Sequence, residues 1–360
     1  ERWRKMAAGC FHTVLLRSDG PAVLFGHGRC RPCQVLTPPH GLRYVATGAG
    51  LYRTVFLQSD GRAVAFGDNS FGQCDIPSPP DGTRYTAVAI SECHTVLLLS
   101  DGQVVAVGSN IWGQCSVPSL VPGLYYTGVA AGEYHTLLLR SDGQAVAFGR
   151  KDQGRCDVPA LPSGLSYVGA SARGGLTVLL RSDGLACALG EGNDGWGGMF
   201  EPPQGLRYVA VGAGGNHIVL LRSDGQAVAF GRNSCGQCVV PDLVSGLRYV
   251  GVVAGDRHTV LLRSDGNAEA FGWNLDGQCD VPQLPTSVRY LSGPIEETAG
   301  EEETPQQGAT DRPFAKSRTF AALPVPTSGP GKSRLEWGAS GEANALSGLD
   351  FWEQGNMPSL

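Results

Sequence analysis

Thr127–Tyr167 reads TGVAAGEYHTLLLRSDGQAVAFGRKDQGRCDVPALPSGLSY. Its centre, Ser141-Asp142-Gly143, returns along the chain with the aspartate at 19, 60, 101, 142, 183, 224 and 265, and every gap is 41 residues. Seven copies without insertion or deletion define a repeat architecture. The units fall at about 3–44, 45–85, 86–126, 127–167, 168–208, 209–249 and 250–290. From residue 291 to 360 the period is gone.

One unit read outward from Ser-Asp-Gly gives four short strands. Val129-Ala130-Ala131-Gly132 is a run of small residues, and His135 to Arg140 is apolar. Asp142 and Gly143 make the hairpin turn between the second and third strands, with glycine supplying the positive φ. Gln144 to Phe148 alternates small and large side chains and Gly149 stops it. Cys156-Asp157-Val158-Pro159 follows a polar loop, with proline confined to a sheet edge. No stretch has helical periodicity. Four strands per unit, repeated, predict an all-β protein, a seven-bladed β-propeller. The first strand faces the crowded axis, where Ala, Val and Gly fit. The second and third are apolar on both faces because each blade lies between two others. The fourth is the polar outer edge.

The pattern Gly-x-x-His-Thr, Leu-x-x-Asp-Gly and Phe-Gly-x-Asn-x-x-Gly-Gln resembles the regulator-of-chromosome-condensation repeats, which implies a seven-bladed propeller over residues 3–290. Gly214-Gly215-Asn216-His217 and Phe230-Gly231-Arg232-Asn233-Ser234-Cys235-Gly236-Gln237 carry it well. The Gly-Gln-Cys-Asp-Val-Pro ending is also similar to that of the bacterial β-lactamase-inhibitor propeller. A WD-repeat propeller is the near rival, yet no Gly-His and Trp-Asp pair occurs in register. Departures are local: Arg31-Pro32-Cys33 in unit 1, Arg53 for histidine in unit 2, and Arg173, Leu176 and Gly197 in unit 5. No strand is left over at Glu1 for the last blade, so closure is expected from packing or from residues upstream.

Charge and composition exclude several classes. Glycine, at 52 of 360 residues, is too irregular for collagen. Net charge is −5, and residues 291–360 hold 10 acidic and 5 basic side chains, leaving 23 of each sign in the body. A neutral body with an acidic tail argues against direct nucleic-acid binding. No apolar run nears the ~20 residues of a membrane span. No stretch reads as a signal peptide or an Asn-x-Ser/Thr site. The opening residue, Glu1, fits a fragment or a processed product. The tail, rich in Pro, Gly and Glu, reads as a disordered linker. Leu346, Leu349, Phe351 and Trp352 form a small apolar cluster near its end.

His12, His94, His135, His217 and His258 share one register. One histidine per blade spreads them round the ring, whereas zinc needs all its ligands at ~2.0–2.1 Å. They are expected to be structural, each bonding local backbone at the corner between the first and second strands. With Asp142 and Gly143 they count as repeat-holding residues, and no metal or cofactor is expected. Cys33, Cys74, Cys115, Cys156, Cys238 and Cys279 also share a register, too far apart on outer strands to pair. They read as small apolar residues in a reduced cytoplasmic or nuclear compartment. The Cys30/Cys33 and Cys235/Cys238 pairs lie in units 1 and 6, which are not neighbours in a ring. Gly190-x-Gly192-x-x-Gly195 matches a dinucleotide fingerprint but no helix follows it.

Alternating strand direction puts the first-to-second and third-to-fourth connections on one face, termed top here. It carries non-repeating residues: Phe11, Tyr52, Phe71, Glu92, Trp112, Glu133, Tyr134, Asp152, Arg173, Trp196, Asn216, Asp256, Arg257 and Trp273. The bottom face repeats Ser-Asp-Gly and Gly-Leu-Arg-Tyr. Residues that hold a blade recur, whereas residues that meet a partner need not, and Trp, Tyr and Arg dominate interface energy. The expected function is a monomeric, non-catalytic scaffold that binds protein through its top face. No Ser/His/Asp set stands apart from the repeat, so no enzyme is expected. The resemblance implies two further functions. One is substrate recognition within a HECT-type ubiquitin ligase, whose catalytic domain this chain lacks. The other is nucleotide exchange on a small GTPase, which in the family uses a β-wedge that strict 41-residue spacing leaves no room for.

Overall fold

The computed structural model describes residues 5–26, 34–190 and 197–291. They form seven antiparallel sheets, one per repeat. Blade 4 shows the plan, with an inner strand Tyr126–Ala131, a middle strand His135–Arg140 and a third strand Ala145–Gly149. The Gly143 N–H donates to the Arg140 carbonyl at 3.0 Å and closes the hairpin, with Gly143 at φ +82°. Gly149 ends the third strand at φ +111°, where a Cβ would lie 2.4 Å from the Tyr134 carbonyl oxygen. Side chains are excluded there by contact as well as by conformation.

The cores lie between blades. Alternate residues of a middle strand face opposite neighbours. Leu138 packs against Val96 and Leu98 of blade 3, and Leu137 and Leu139 against Tyr167, Leu179 and Cys187 of blade 5. The same arrangement joins blade 7 to blade 1 through Val260, Leu262, Met6, Leu15 and Phe25, so the ring is closed. Small inner-strand residues such as Ala8, Ala49, Val129 and Ala213 line an axial channel of about 590 Å³.

Closure uses more than packing. Tyr290 bridges to Arg17, the place that each blade's leading tyrosine takes beside its own middle strand. The Ser18 N–H donates to the Arg289 carbonyl (2.9 Å) and the Leu291 N–H to the Leu16 carbonyl (3.0 Å). The end of the seventh repeat thus supplies the start of the first blade's inner strand.

The expectation of four strands per blade needs correction. Only the sheets of blades 1 and 5 have a fourth strand, Gln34–Leu36 and Gly198–Phe200; the other five have three. In those five the Gly-Gln-Cys segment, or Gly-Arg-Cys in blade 4, forms turns instead. The Asn69 carboxamide accepts from the Cys74 N–H (2.7 Å) and donates to Asp75 (2.8 Å), and Asn110, Asn233 and Asn274 likewise accept from Cys115, Cys238 and Cys279. A side chain that bonds nearby backbone competes with a ladder. Units 1 and 5 carry Gly28 and Gly192 at the asparagine register and form the strand, whereas unit 4 carries Lys151 there and turns through Asp152–Gly154 instead.

Candidate functional site

The five register histidines form a belt between blades. Nε2 of His12, His94, His135, His217 and His258 meets Oγ1 of Thr54, Thr136, Thr177, Thr259 and Thr13 in the next blade, at 2.6–3.0 Å. Thr13, Thr136, Thr177 and Thr259 spend their single hydroxyl proton on the carbonyl of Gln278, Gln114, Arg155 or Gln237 in the preceding blade. Each histidine facing one of these four is therefore the donor, which fixes the proton on Nε2. Burial lowers the imidazole pKa to about 3 for His94, His135 and His258, and to about 4 for His12 and His217. The belt corrects the expected bonds to local backbone: the partners are hydroxyls one blade away. Those threonines were missed because nothing in a single repeat links them to the histidine before them.

Two junctions depart in matched ways. Arg53 replaces histidine in blade 2 and donates to the blade 3 carbonyls of Ser91 (3.0 Å) and His94 (2.5 Å). Leu176 replaces it in blade 5, and the threonine position of blade 6 is Ile218, buried in the same cluster.

On the top face three of the expected groups come together. Phe11 and Tyr52 stack with ring centroids 5.4 Å apart. The Arg150 guanidinium lies 5.2 Å from the Trp112 ring centroid and 5.9 Å from that of Tyr134, and pairs with Asp152 at 2.7 Å. Arg257 lies 5.6 Å from the Trp273 ring and 3.5 Å from the Asp256 carboxylate. Trp112 is 50% and Phe71 58% exposed, with Ile111 beside Trp112 at 77% and Leu275 in the loop of Trp273 at 82%. Arg150, Ile111 and Leu275 were not singled out in the sequence, although Arg150 falls next to a strand end on this face. Asn216 sits in the first-to-second connection of blade 6. Trp196, both members of the Cys30/Cys33 pair and the tail from residue 292 onward lie outside the described residues.

Arg173, expected among the contact residues, turns inward instead. Its guanidinium spans the axis from blade 5 to the Ala8 carbonyl (2.9 Å) and Cys10 Sγ (3.2 Å) of blade 1. Cys10 Sγ lies 3.8 Å from a Glu92 carboxylate oxygen. Burial, opposed by Arg173, lifts the Cys10 thiol to about 12, so it stays in its non-nucleophilic form. Burial and the Glu133 charge lift Glu92 to about 7. The register cysteines are local donors: Cys74, Cys115, Cys156, Cys238 and Cys279 each bond a backbone carbonyl of their own loop at 3.2–3.4 Å.

The model of the Regulator of chromosome condensation (RCC1) repeat matches residues 44–73, 126–155, 208–237 and 249–278. Human WBSCR16 is similar in structure, with a TM-score of 0.61 at 17% identity over 71% of this chain and 86% of its own. The CRINKLY WD40 ectodomain of the Arabidopsis thaliana receptor kinase ACR4 has a TM-score of 0.55 at 17% identity, covering 79% of this chain and all but 1% of that one, 99%. The ectodomain of the Physcomitrella patens receptor kinase CR4 has a TM-score of 0.56 at 17% identity, covering 75% and 73%. No curated protein is significantly similar in sequence. At such identities the structural likeness speaks to fold alone, while the four matched segments recur at the register read from Ser-Asp-Gly. The chain is a seven-bladed β-propeller, four of whose seven repeats match the Regulator of chromosome condensation (RCC1) repeat.

Proposed function

We propose that this propeller is a non-catalytic scaffold that docks a protein partner on its top face. The observation that carries the reading is the exposed Trp112–Arg150–Tyr134 sandwich, built across two blades and accompanied by Arg257–Trp273 and Phe11–Tyr52. Stacked aromatic and guanidinium groups are rigid before binding, so little side-chain entropy is lost when a partner covers them. The belt beneath supplies a stiff platform and leaves the histidines no free Nε2. A reduced intracellular compartment suits the thiols that donate to loop carbonyls, because that bond needs the S–H form.

The test compares affinity capture by the full chain with capture by a variant carrying Trp112→Ala, Tyr134→Ala and Trp273→Ala. The reading expects specific partners to disappear from the variant while the far-ultraviolet spectrum and melting temperature stay close to wild type. An unchanged partner set would move the binding surface elsewhere.

A further inference from the structure

We propose that the bottom face carries a second, separate recognition surface, an arc of arginines that takes an extended acidic peptide segment of a partner protein. Arg207, Arg248, Arg289, Arg43 and Arg84 stand at five consecutive blade junctions, 5/6, 6/7, 7/1, 1/2 and 2/3. All five are exposed, and none of their guanidinium groups has a hydrogen bond or ion pair among the described residues. Tyr125 and Ser166 fill the remaining two junctions, so the charge is confined to an arc.

The arc is pre-formed by its backbone. The N–H groups of Arg43, Arg84, Arg207, Arg248 and Arg289 donate to hairpin serines 59, 100, 223, 264 and 18 at 3.1–3.2 Å. The stems of Arg84, Arg207, Arg248 and Arg289 lie against the hairpin glycine of the preceding blade, where a Cβ would meet them at 2.3–2.5 Å. Each arginine is thus clamped between two hairpins while its head group is free.

Five of the six hairpin carboxylates beside the arc are already committed. Asp183, Asp224, Asp265 and Asp19 each pair with the arginine two residues before them, and Asp60 with Arg62. Arg43, Arg207, Arg248 and Arg289 therefore each add an unpaired positive charge between two neutralised turns, whereas Arg84 lies between the paired Asp60 turn and the turn of Asp101, where Leu99 takes the place of the pairing arginine. Asp81 and Asp242 lie in the same connections and form no ion pair among the described residues. Guanidinium forks at discrete positions suit carboxylates spaced along a peptide. Carboxylates set between them, and a chain charge of −5, disfavour the dense phosphate line of a nucleic acid.

The experiment measures fluorescence anisotropy of a fluorescein-labelled decaglutamate peptide at low salt with the full chain. It is repeated on a chain with glutamates 296, 297, 301, 302 and 303 changed to Gln, so that the chain's own acidic run cannot mask the arc. The proposal expects saturable binding to at least one of these, weakening as salt rises. Arg43→Gln, Arg248→Gln and Arg289→Gln together should weaken it at least tenfold, and Arg232→Gln on the top face should leave it unchanged. No binding to either chain, or equal binding by the triple variant, would overturn it. A 20-base-pair DNA duplex binding more tightly than the peptide would also overturn it in favour of nucleic acid. The top-face alanine variant should bind the peptide normally, which separates failure here from failure of the proposed scaffold reading.

Discussion

His258 Nε2 lies 2.9 Å from Thr13 Oγ1, a bond between residues 245 positions apart that seals the seam between the last blade and the first. Both groups are fully buried. Thr13→Val leaves an imidazole N–H without an acceptor, and losing a buried partner costs about 1–3 kcal/mol. The 5/6 junction shows another solution, Leu176 against Ile218. His258→Leu combined with Thr13→Ile should therefore recover much of the loss caused by either change alone. Urea denaturation of the two single variants and the double variant reads this as a coupling energy. Strictly additive losses would mean that the junction does not simply need matched partners.

The belt also fixes the response to acid. The five histidines have folded pKa values of about 3 to 4 against an unfolded value near 6.5. Between those limits the unfolded chain binds more protons, so stability is full above about pH 6.5 and falls as pH drops. Each histidine contributes a slope of about 1.4 kcal/mol per pH unit. Urea midpoints at pH 7.5, 6 and 5 should decline steeply, and His94→Asn should make the decline shallower. A midpoint constant from pH 7.5 to 5 would show that the imidazoles are not buried neutral.

Some of this was legible in the sequence and some was not. Ser-Asp-Gly at a fixed spacing gave the blade count because a hairpin turn is a local event, fully encoded in three residues. The His258–Thr13 bond was not legible, since its two ends belong to different repeats and only the ring brings them together. The missing fourth strands had a readable cause. Cys-Asp-Val-Pro alternates like an edge strand, but in blades 2, 3, 6 and 7 the asparagine five residues before the cysteine captures the backbone first, while blade 4, with Lys151 there, turns without it. Arg173 looked like a contact residue because it breaks the repeat. Its inward turn follows from the small Ala8 and the thiol of Cys10 facing it across the axis.

The asparagine turn can be tested directly. Asn110 accepts from the Cys115 N–H at 2.8 Å and donates to Ser116 Oγ at 3.1 Å. Asn110→Ala removes both bonds at an exposed loop, with an expected cost of about 1 kcal/mol. The Cys115 amide should exchange its hydrogen faster while amides of the middle strand His94–Leu99 keep their protection. Equal exchange at Cys115 in both proteins would leave the turn without its assigned cause.

Glu92 opposes the histidines. Its folded pKa is raised to about 7 by burial and by Glu133, with Arg173 pulling it down. The unfolded chain then releases the proton first, so the stability tied to the neutral carboxyl is present below about pH 4.5 and is lost as pH rises towards 7. Glu92→Gln keeps the shape and removes the charge. The variant should match wild type near pH 4.5 and exceed it by about 1–3 kcal/mol at pH 8. Thermal melts at both values measure the difference. A variant less stable at pH 8 would mean that the Glu92 carboxylate is an asset to the axial cluster, through Arg173, and that its burial is not the dominant effect.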